Sequence, residues 1–320
     1  MQVDGAVEHP EIRRLKIGGQ PLGLDQIAGI AEALGHGGSP SARRPAWRRN
    51  PGFATGPCSR HCWRPNKRPG SLPMQTVSAY SPYGWKAKIG LIIPSTNTVN
   101  EPEFWRMAPE GVTIHTARLH FRPKEVEDPL LDMEAHLPRA YAELAGAEVD
   151  LIAFSCTAST MHRPPEVWEQ EIRAATGLPS VTVAGAVLEA IHKLGARTIA
   201  FGTPYPEKVN EHEKAFFEGR GIRVAKHANI ILSPEQQRLR HMSRVPPEAV
   251  FRLAQAIDTP EADLVFLSCT DMASLPMIDR IEQALGKPCI TSSQVTFWQA
   301  LRRAGLKDRL EGCGRLFRDH

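Results

Sequence analysis

Three features are scarce or missing in this sequence of 320 residues, and each absence excludes a class of protein. The six cysteines are too sparse for a disulfide scaffold and form no CxxC pair, so we expect a reduced, cytoplasmic environment. Purely apolar runs such as Leu151 to Phe154 are short, whereas a membrane-spanning helix needs roughly 18 residues. No apolar stretch of about 7–15 residues follows the start, as a secretory signal would require. We therefore expect a soluble chain without a membrane partner.

Sequence motifs that hold cofactors are also missing. No GxGxxG or GxxxxGK[ST] sequence follows an expected strand, so nucleotide binding lacks support. Cys58 and Cys62 are separated by three residues and have His61 beside them, but no second pair of ligands follows at the spacing of a zinc site. We therefore expect no metal and no organic cofactor.

The net charge of +4 is unevenly distributed along the chain. Residues 1–73, here called the leader, hold 11 Lys and Arg against 5 Asp and Glu, which leaves 28 against 30 in residues 74–320. The leader also contains 9 Pro and 11 Gly, a composition typical of disordered sequence. Arginines around Trp47 could contact phosphates, but arginine-rich tails are common, and we expect no nucleic-acid partner.

The leader is expected to be disordered apart from one short helix. Leu24 to Gly38 has apolar residues at near-helical spacing and ends in glycines. Residues 40–73 lack hydrophobic periodicity, so no packed core offsets the entropy of ordering them. Two interpretations remain open. Either the leader belongs to the protein, or Met74 is the true start and the leader is an upstream artefact or a dispensable extension; the second is favoured.

From Lys88 onward, short β-branched runs alternate with amphipathic stretches of helical length, which predicts βαβ units around parallel sheets. Strands are expected at 88–93, 112–121, 150–155, 180–183, 198–202, 263–268 and 288–291. Helices are expected between them, including 165–176, 186–195, 207–219, 275–286 and 294–305.

This α/β body repeats itself. The stretch KIGLIIPSTNTVNE from Lys88 aligns with TIAFGTPYPEKVNE from Thr198 at an offset of 110 residues. Likewise, DLIAFSCTAS from Asp150 aligns with DLVFLSCTDM from Asp263 at an offset of 113. The repeat predicts two pseudosymmetric, Rossmann-like (flavodoxin-like) halves with parallel sheets, at 74–195 and 196–320. Ligands of open α/β sheets bind outside the carboxyl ends of the strands, so the active site is expected in the crevice between the halves.

The repeat places Cys156 and Cys269 at equivalent strand ends, although 113 residues separate them. Each follows an apolar strand and precedes an expected helix, where free backbone amides lower the pKa of a thiol from its ordinary value of about 8.5. The alternative is that a buried free cysteine merely packs. We favour a catalytic role for this pair and structural roles for Cys289, within a strand, and Cys313, in the tail.

Four motifs carry a resemblance to a known family: GLIIPSTNTVNEPEF, DLIAFSCTAST, IAFGTPYPEKVNE and DLVFLSCTDM. They resemble the aspartate/glutamate racemase superfamily, specifically its maleate cis-trans isomerase and arylmalonate decarboxylase branch, over about Lys88 to Leu316. Maleate isomerases keep a cysteine in both halves, whereas the decarboxylases keep only the second. Glutamate racemases show Asn after the first cysteine and Thr-His after the second, where this chain has Thr157 and Thr270-Asp271. The resemblance therefore favours isomerase chemistry.

By this resemblance, Cys156 is the nucleophile that adds to the double bond of maleate, and Cys269 supplies and retrieves a proton. Asn97 and Tyr205 match the family's carboxylate-binding positions, and Thr157 and Thr270 are further expected donors. A turn or helix cap is the alternative role for Asn97. Two features depart from the family. Ala158 follows Thr157 where the decarboxylases have a second hydroxyl, and a further Asn of maleate isomerases has no motif match, with Asn229 and Asn210 as candidates.

The functional expectation is a cofactor-independent, two-cysteine isomerase of a small dicarboxylate, converting maleate to fumarate. The first alternative is an aspartate, glutamate or hydantoin-type racemase or an arylmalonate-type decarboxylase, with ectoine-type catabolism as one setting for it. A non-catalytic module that binds small anions is the alternative from another class, because two α/β lobes around a crevice also serve as ligand sensors. We further expect a homo-oligomer, either a dimer or a tetramer.

Overall fold

The computed structural model describes residues 16–17, 20–21, 81–122, 125–230 and 242–320. Spatial clustering divides the chain into Met1–Gln75 and Thr76–His320. In the first unit, Lys16–Ile17 pairs with Gln20–Pro21 in antiparallel fashion, a pairing that the sequence pattern did not predict. The expected helix from Leu24, the arginine-rich stretch and the Cys58 and Cys62 pair lie outside the described residues.

The first half of the body contains a parallel sheet of four strands. The strands are β1 (Ala87–Pro94), β2 (Val112–Leu119), β3 (Leu151–Phe154) and β4 (Ser180–Thr182), in the order β2-β1-β3-β4. The helices are α1 (Asn100–Met107), α2 (Pro129–Glu134), α3 (Leu137–Gly146), α4 (Thr157–Met161), α5 (Pro165–Thr176) and α6 (Val183–Lys193).

The second half repeats this arrangement with its own parallel sheet. The strands are β5 (Thr198–Thr203), β6 (Arg223–Asn229), β7 (Leu264–Leu267) and β8 (Cys289–Thr291), in the order β6-β5-β7-β8. The helices are α7 (Glu207–Glu218), α8 (Pro247–Ile257), α9 (Ile278–Leu285), α10 (Ser292–Arg303) and α11 (Gly314–Asp319), with 3-10 turns at Met242–Arg244 and Leu275–Met277. The shared strand order confirms the predicted pair of flavodoxin-like halves.

Equivalent threonines start the last large helix of each repeat. The Thr182 hydroxyl at the end of β4 accepts from the Gly185 amide and caps α6. The Thr291 hydroxyl at the end of β8 accepts from the Gln294 amide and caps α10, and the Gln294 side chain completes a capping box. Each cap ends its strand and begins its helix within one residue, so α6 and α10 leave the two sheets at corresponding places.

Helices α6 and α10 join the two sheets into one apolar core. They contact each other, and α10 also packs on α1, β3 and β4 of the first half. The core contains Ile89 and Leu91 of β1, Val187 of α6 and Phe297 of α10, together with the interior of the second sheet. A smaller second core, centred on Phe154 and Trp168, lies elsewhere in the first half. The halves are therefore not independent, because the principal core spans both.

Close packing of helix on strand is clearest at Gly202 in β5. A Cβ atom at this position would lie 2.7 Å from the Leu253 side chain of α8, a distance that real Cβ contacts do not show. Glycine lets α8 approach the sheet, because it alone leaves room for Leu253.

Within the described part of the α/β body, seven predicted strands are present, each with bounds within two residues of those expected, and the strand that the prediction missed there is β6. Its sequence, RVAKHAN, has no clean alternation of apolar and polar residues, and Arg223 and Lys226 are exposed. An edge strand is covered on fewer sides than a central one, so its sequence carries a weaker hydrophobic pattern. Within the described ranges, no helix combines the length and apolar character that crossing a bilayer requires.

Candidate active site

A cavity of about 580 Å³ lies where the strands of both sheets end. Its lining comes from residues at or after the ends of β1, β2, β3, β5, β6 and β7, and we call it the strand-end cavity. All the site residues expected from the sequence line it, namely Asn97, Cys156, Thr157, Tyr205, Cys269 and Thr270. Its position agrees with the expected crevice, since residues of both halves form its wall.

Cys156 lies at the junction between β3 and α4, with 7% of its surface exposed. The Ser159 side chain and the amides of Ser159 and Ala158, in the first turn of α4, act to lower the pKa of its thiol. Burial acts in the opposite direction and is the larger effect, so the pKa of the Cys156 thiol is raised. The expected lowering is therefore wrong for the free protein, although the expected helix terminus and its donors are present.

Cys269 differs from Cys156 in its backbone and in its charged neighbour. Its φ angle is +155°, which an L-residue rarely adopts, and such strained backbone costs on the order of 1–3 kcal/mol. No helix begins directly after it, because the following 3-10 turn starts only at Leu275. Burial and then the charge of Asp271 raise the pKa of the Cys269 thiol well above its usual range. The expected helix terminus and lowered pKa are thus both wrong for Cys269.

The two thiols influence each other within the cavity. Ionised Cys156 raises the pKa of Cys269 by charge repulsion, while the Tyr205 hydroxyl, hydrogen-bonded to Cys269, acts to lower it. Burial raises the pKa of Tyr205 well above its usual range, so its hydroxyl stays protonated as a donor. The arrangement favours one thiolate and one thiol, and the charge of Asp271 favours Cys269 as the thiol.

Asn97 has the turn role that its sequence context allowed, and its side chain also lines the cavity. Its Oδ1 accepts from the amides of Val99 at 3.0 Å and Asn100 at 2.9 Å, which orders the loop into α1. Its Nδ2 donates to Thr270 Oγ1 at 3.1 Å, across the boundary between the halves. Thr270 in turn donates to the Ser155 carbonyl at 3.3 Å. An amide nitrogen has two hydrogens, so one remains for a ligand in the cavity.

Asn229, at the end of β6, lies in the cavity wall. Its Nδ2 donates to the Tyr205 carbonyl at 3.0 Å, which ties β6 to the loop that carries Tyr205. Asn210 is buried on α7 and does not line the cavity; its Oδ1 accepts from Thr203 Oγ1 at 2.6 Å. Of the two asparagines considered from the sequence, only Asn229 is therefore placed to contact a ligand.

Sequence reasoning missed Ser292, the first residue of α10. Its Oγ accepts from the Cys269 amide at 3.1 Å and from the Thr157 hydroxyl at 3.1 Å. One serine thus links the backbone of one cysteine to the residue after the other. Its only sequence signal was its place directly after a strand, a signal that the capping Thr291 shares.

Among the described residues, a group of three side chains beside the cavity lining could hold a metal ion. Ligand atoms of Glu207, Glu211 and His227 all lie within 4.8 Å of one another. His227 Nε2 is already bonded to Glu207 at 2.7 Å and lies 3.5 Å from Glu211, and both glutamates are exposed. The three side chains therefore form a polar cluster in this structure.

Comparison with known proteins identifies relatives of the body. The family model described as arylmalonate decarboxylase matches residues 89–317. A maleate isomerase of Pseudomonas putida is 29% identical over 245 residues, covering 72% of this chain and 96% of that protein.

Solved structures give the same result. A cysteine-to-alanine variant of a Pseudomonas putida maleate isomerase with maleate has a TM-score of 0.67 and 25% identity, over 72% of this chain and 97% of that one. A cysteine-to-serine mutant of the Nocardia farcinica maleate cis-trans isomerase, with a covalently bound succinylcysteine intermediate, shares the fold at a TM-score of 0.67 and 23% identity, over 73% of this chain and 99% of that one. Because the family model covers nearly the whole two-sheet body, the chain is an enzyme of the arylmalonate decarboxylase family, in the branch of the aspartate/glutamate racemase superfamily that includes the maleate isomerases.

Proposed function

We propose that this enzyme is a cofactor-independent isomerase that converts maleate to fumarate, using Cys156 and Cys269. The observation that carries the proposal is that one cavity is lined by a cysteine from each half. The relatives named maleate isomerase support this reaction, and the succinylcysteine in the Nocardia farcinica structure supports a covalent route.

The reaction begins when Cys156 loses its proton to solvent and its thiolate adds to one alkene carbon of maleate. The electron pair of the double bond moves to the neighbouring carbon, which takes the proton of the Cys269 thiol. The product is a succinyl thioether in which a single bond joins the two carbons, so that they can rotate. Cys269 thiolate then removes a proton from the same carbon, the carbon-sulfur bond breaks, and fumarate leaves with Cys156 restored as a thiolate.

The surroundings of the cysteines suit these different roles. The amides at the start of α4 act to lower the pKa of Cys156, whereas burial first, and Asp271 second, raise the pKa of Cys269 and keep it protonated until the carbanion forms. The side-chain amides of Asn97 and Asn229 each donate one hydrogen bond within the protein. The second hydrogen of each Nδ2 would donate to a carboxylate of the substrate. Neutral donors orient a carboxylate without forming an ion pair with the thiolate.

A racemase or decarboxylase reaction is the second candidate. The description of the matching family model favours a decarboxylase, and Cys269 alone could protonate a carbanion left by loss of carbon dioxide. Cys156 counts against this candidate, because decarboxylation needs no second nucleophile in the cavity.

The proposed function is tested by following the full-length enzyme with maleate by proton NMR. We expect fumarate to form, and we expect turnover to fall by at least about 10²-fold in both Cys156→Ala and Cys269→Ala. Cys313→Ala is the matched control, since Cys313 is buried outside the strand-end cavity, and it should retain turnover.

Unchanged turnover in either cavity variant would overturn the mechanism. The same assay separates the rival reactions. Deuterium exchange at the α-carbon of an amino acid would identify a racemase, and release of carbon dioxide from an arylmalonate would identify a decarboxylase.

A further inference from the structure

Asp271 places a carboxyl group in the wall of the strand-end cavity. Its backbone N–H donates to Cys269 Sγ at 3.3 Å, and its Oδ1 accepts from the Thr98 amide at 3.0 Å. The carboxyl is therefore held next to one reactive thiol by a bond to the other half. A carboxylate is an unusual wall for a cavity that receives a dianion, because like charges repel strongly when partly desolvated.

The groups that face Asp271 leave its charge largely uncompensated. Arg118 on β2 is the cation that lowers its pKa, but that guanidinium already donates to Glu101 at 2.7 Å and to the Asn97 carbonyl at 2.7 Å. The amides of Thr98 and Val99 also lower the pKa. Among the described residues that line the cavity, none is Lys, Arg or His. Burial is the largest influence, and it raises the pKa of Asp271 to about 6.

The protonation state of the Asp271 carboxyl group decides which substrate group can lie beside it. Above about pH 6 the carboxylate accepts a hydrogen bond from an N–H or O–H group but repels a second carboxylate. A dianion then binds only if the site takes up one proton. Each further pH unit therefore lowers the affinity for the dianion about tenfold, while a monoanion with a neutral N–H donor is spared this loss.

We propose that Asp271 is a specificity-determining residue that selects substrates by the charge of the group that reaches it. At neutral pH the site favours a cis-unsaturated monoanion whose second acid group is an amide, such as the monoamide of maleate, over maleate itself. This inference rests on the proposed function, because it assumes that a maleate-like molecule occupies the cavity.

Calorimetric titration of the full-length Cys156→Ala variant with maleate and with its monoamide tests the inference without turnover. At about pH 8 we expect the monoamide to bind at least about tenfold more tightly than maleate, and we expect maleate affinity to rise as the pH falls towards about 5.5. Adding Asp271→Asn should strengthen maleate binding at about pH 8 and flatten its pH dependence. The asparagine oxygen can still accept from the Thr98 amide, and Asp271→Ser provides a second neutral variant.

Asp258→Asn is the matched control, because Asp258 pairs with Lys287 at 2.8 Å outside the cavity lining, and it should leave both affinities unchanged. The ionisation of maleate itself is the same for every variant, so a difference between variants reports residue 271. An unchanged ratio of monoamide to maleate affinity in both neutral variants would overturn the inference. Absence of binding by both compounds would overturn it as well.

Turnover of maleate by the wild-type enzyme is read separately. Selective binding without any isomerisation would contradict the proposed function and leave the role of Asp271 standing. Isomerisation of maleate, together with binding affinities that do not depend on residue 271, would support the proposed function and contradict the role of Asp271.

Discussion

The two cysteines of the strand-end cavity are chemically different despite their equivalent places in the repeat. Cys156 follows its strand directly into a helix, whose first amides act to lower the pKa of its thiol. Cys269 has a strained backbone and lies two residues from Asp271, whose charge opposes its ionisation. These differences support the proposal that the nucleophile lies in the first half and the proton donor in the second.

Ser292 is the residue whose removal tests how the cavity is held together. Ser292→Ala leaves the buried Cys269 amide and the Thr157 hydroxyl without their acceptor, which should cost about 1–3 kcal/mol in the free energy of unfolding. The Cys269 backbone also loses its anchor, so we expect kcat to fall by at least about tenfold, since small displacements of a reacting group are costly. Denaturant unfolding and the maleate assay measure the two effects.

Thr176→Ala is the control for this prediction. The Thr176 hydroxyl of the wild type donates to the Ile172 carbonyl at 2.7 Å and accepts from the Leu178 amide at 3.1 Å, away from the cavity. Thr176→Ala should lose about as much free energy of unfolding as Ser292→Ala and should keep the kcat of the wild type. Equal kcat values for Ser292→Ala and Thr176→Ala would show that Ser292 is only a structural residue.

Sequence patterns predicted the cavity residues that end strands but not those that other elements deliver. The repeat indicated Cys156 and Cys269, because each follows an apolar strand, and the resemblance to a known family indicated Asn97 and Tyr205. The contacts of Ser292 depend on α10 packing across both halves, and periodicity in one segment carries no information about such packing. The raised thiol pKa values were missed for the same reason, because burial is a property of the assembled cavity.

At the scale of elements, the repeat extends to buried acids on equivalent helices. Glu103 on α1 and Glu213 on α7 are related by the same offset of 110 residues as the strands before them. Glu103 Oε1 accepts from the amides of Ser274 and Leu275, both at 3.0 Å, while burial raises its pKa to about 7. Glu213 is fully buried, neither of its oxygens has a hydrogen-bond partner within 3.5 Å, and burial raises its pKa to about 8.

Glu213 should therefore make stability depend on pH. Its pKa is about 8 in the folded state and about 4.5 in the unfolded chain, so its contribution is fully present below about pH 4.5 and is lost as pH rises to about 8. Glu213→Gln removes this ionisation. Relative to wild type, the variant should gain up to about 1 kcal/mol per pH unit between about pH 5 and 8.

Chemical denaturation across this pH range measures the gain. Glu218→Gln is the matched control, because Glu218 lies on the same helix and is exposed, and its profile should follow the wild type. Parallel profiles for Glu213→Gln and wild type would contradict the buried, protonated state of Glu213.

At the scale of the whole molecule, the two halves work as one body. Helices α6 and α10 lie in a core that spans both sheets, and the bond from Asn97 to Thr270 crosses between the halves beside the cavity. A catalytic pair split between two halves requires such a fixed relation, since the proton donor must lie within reach of the carbon next to the one attacked.

The parallel sheets of the two halves were predictable, because strands and helices alternate along the chain and the motifs repeat. The joint core was not predictable, because α10 follows the second sheet in sequence and packs largely on the first half. The leader boundary near Met74 and the expected homo-oligomer stay predictions.

The most direct test of the account is to trap the covalent intermediate on Cys156. In Cys269→Ser, the group that removes the proton before elimination is weakened, so the adduct should accumulate after incubation with maleate. Intact mass spectrometry should show the addition of one molecule of maleate, and peptide mapping should place it on Cys156 rather than on Cys289 or Cys313. Conversion of maleate by the wild-type enzyme, together with an adduct on another residue or with no adduct at all in Cys269→Ser, would contradict the account.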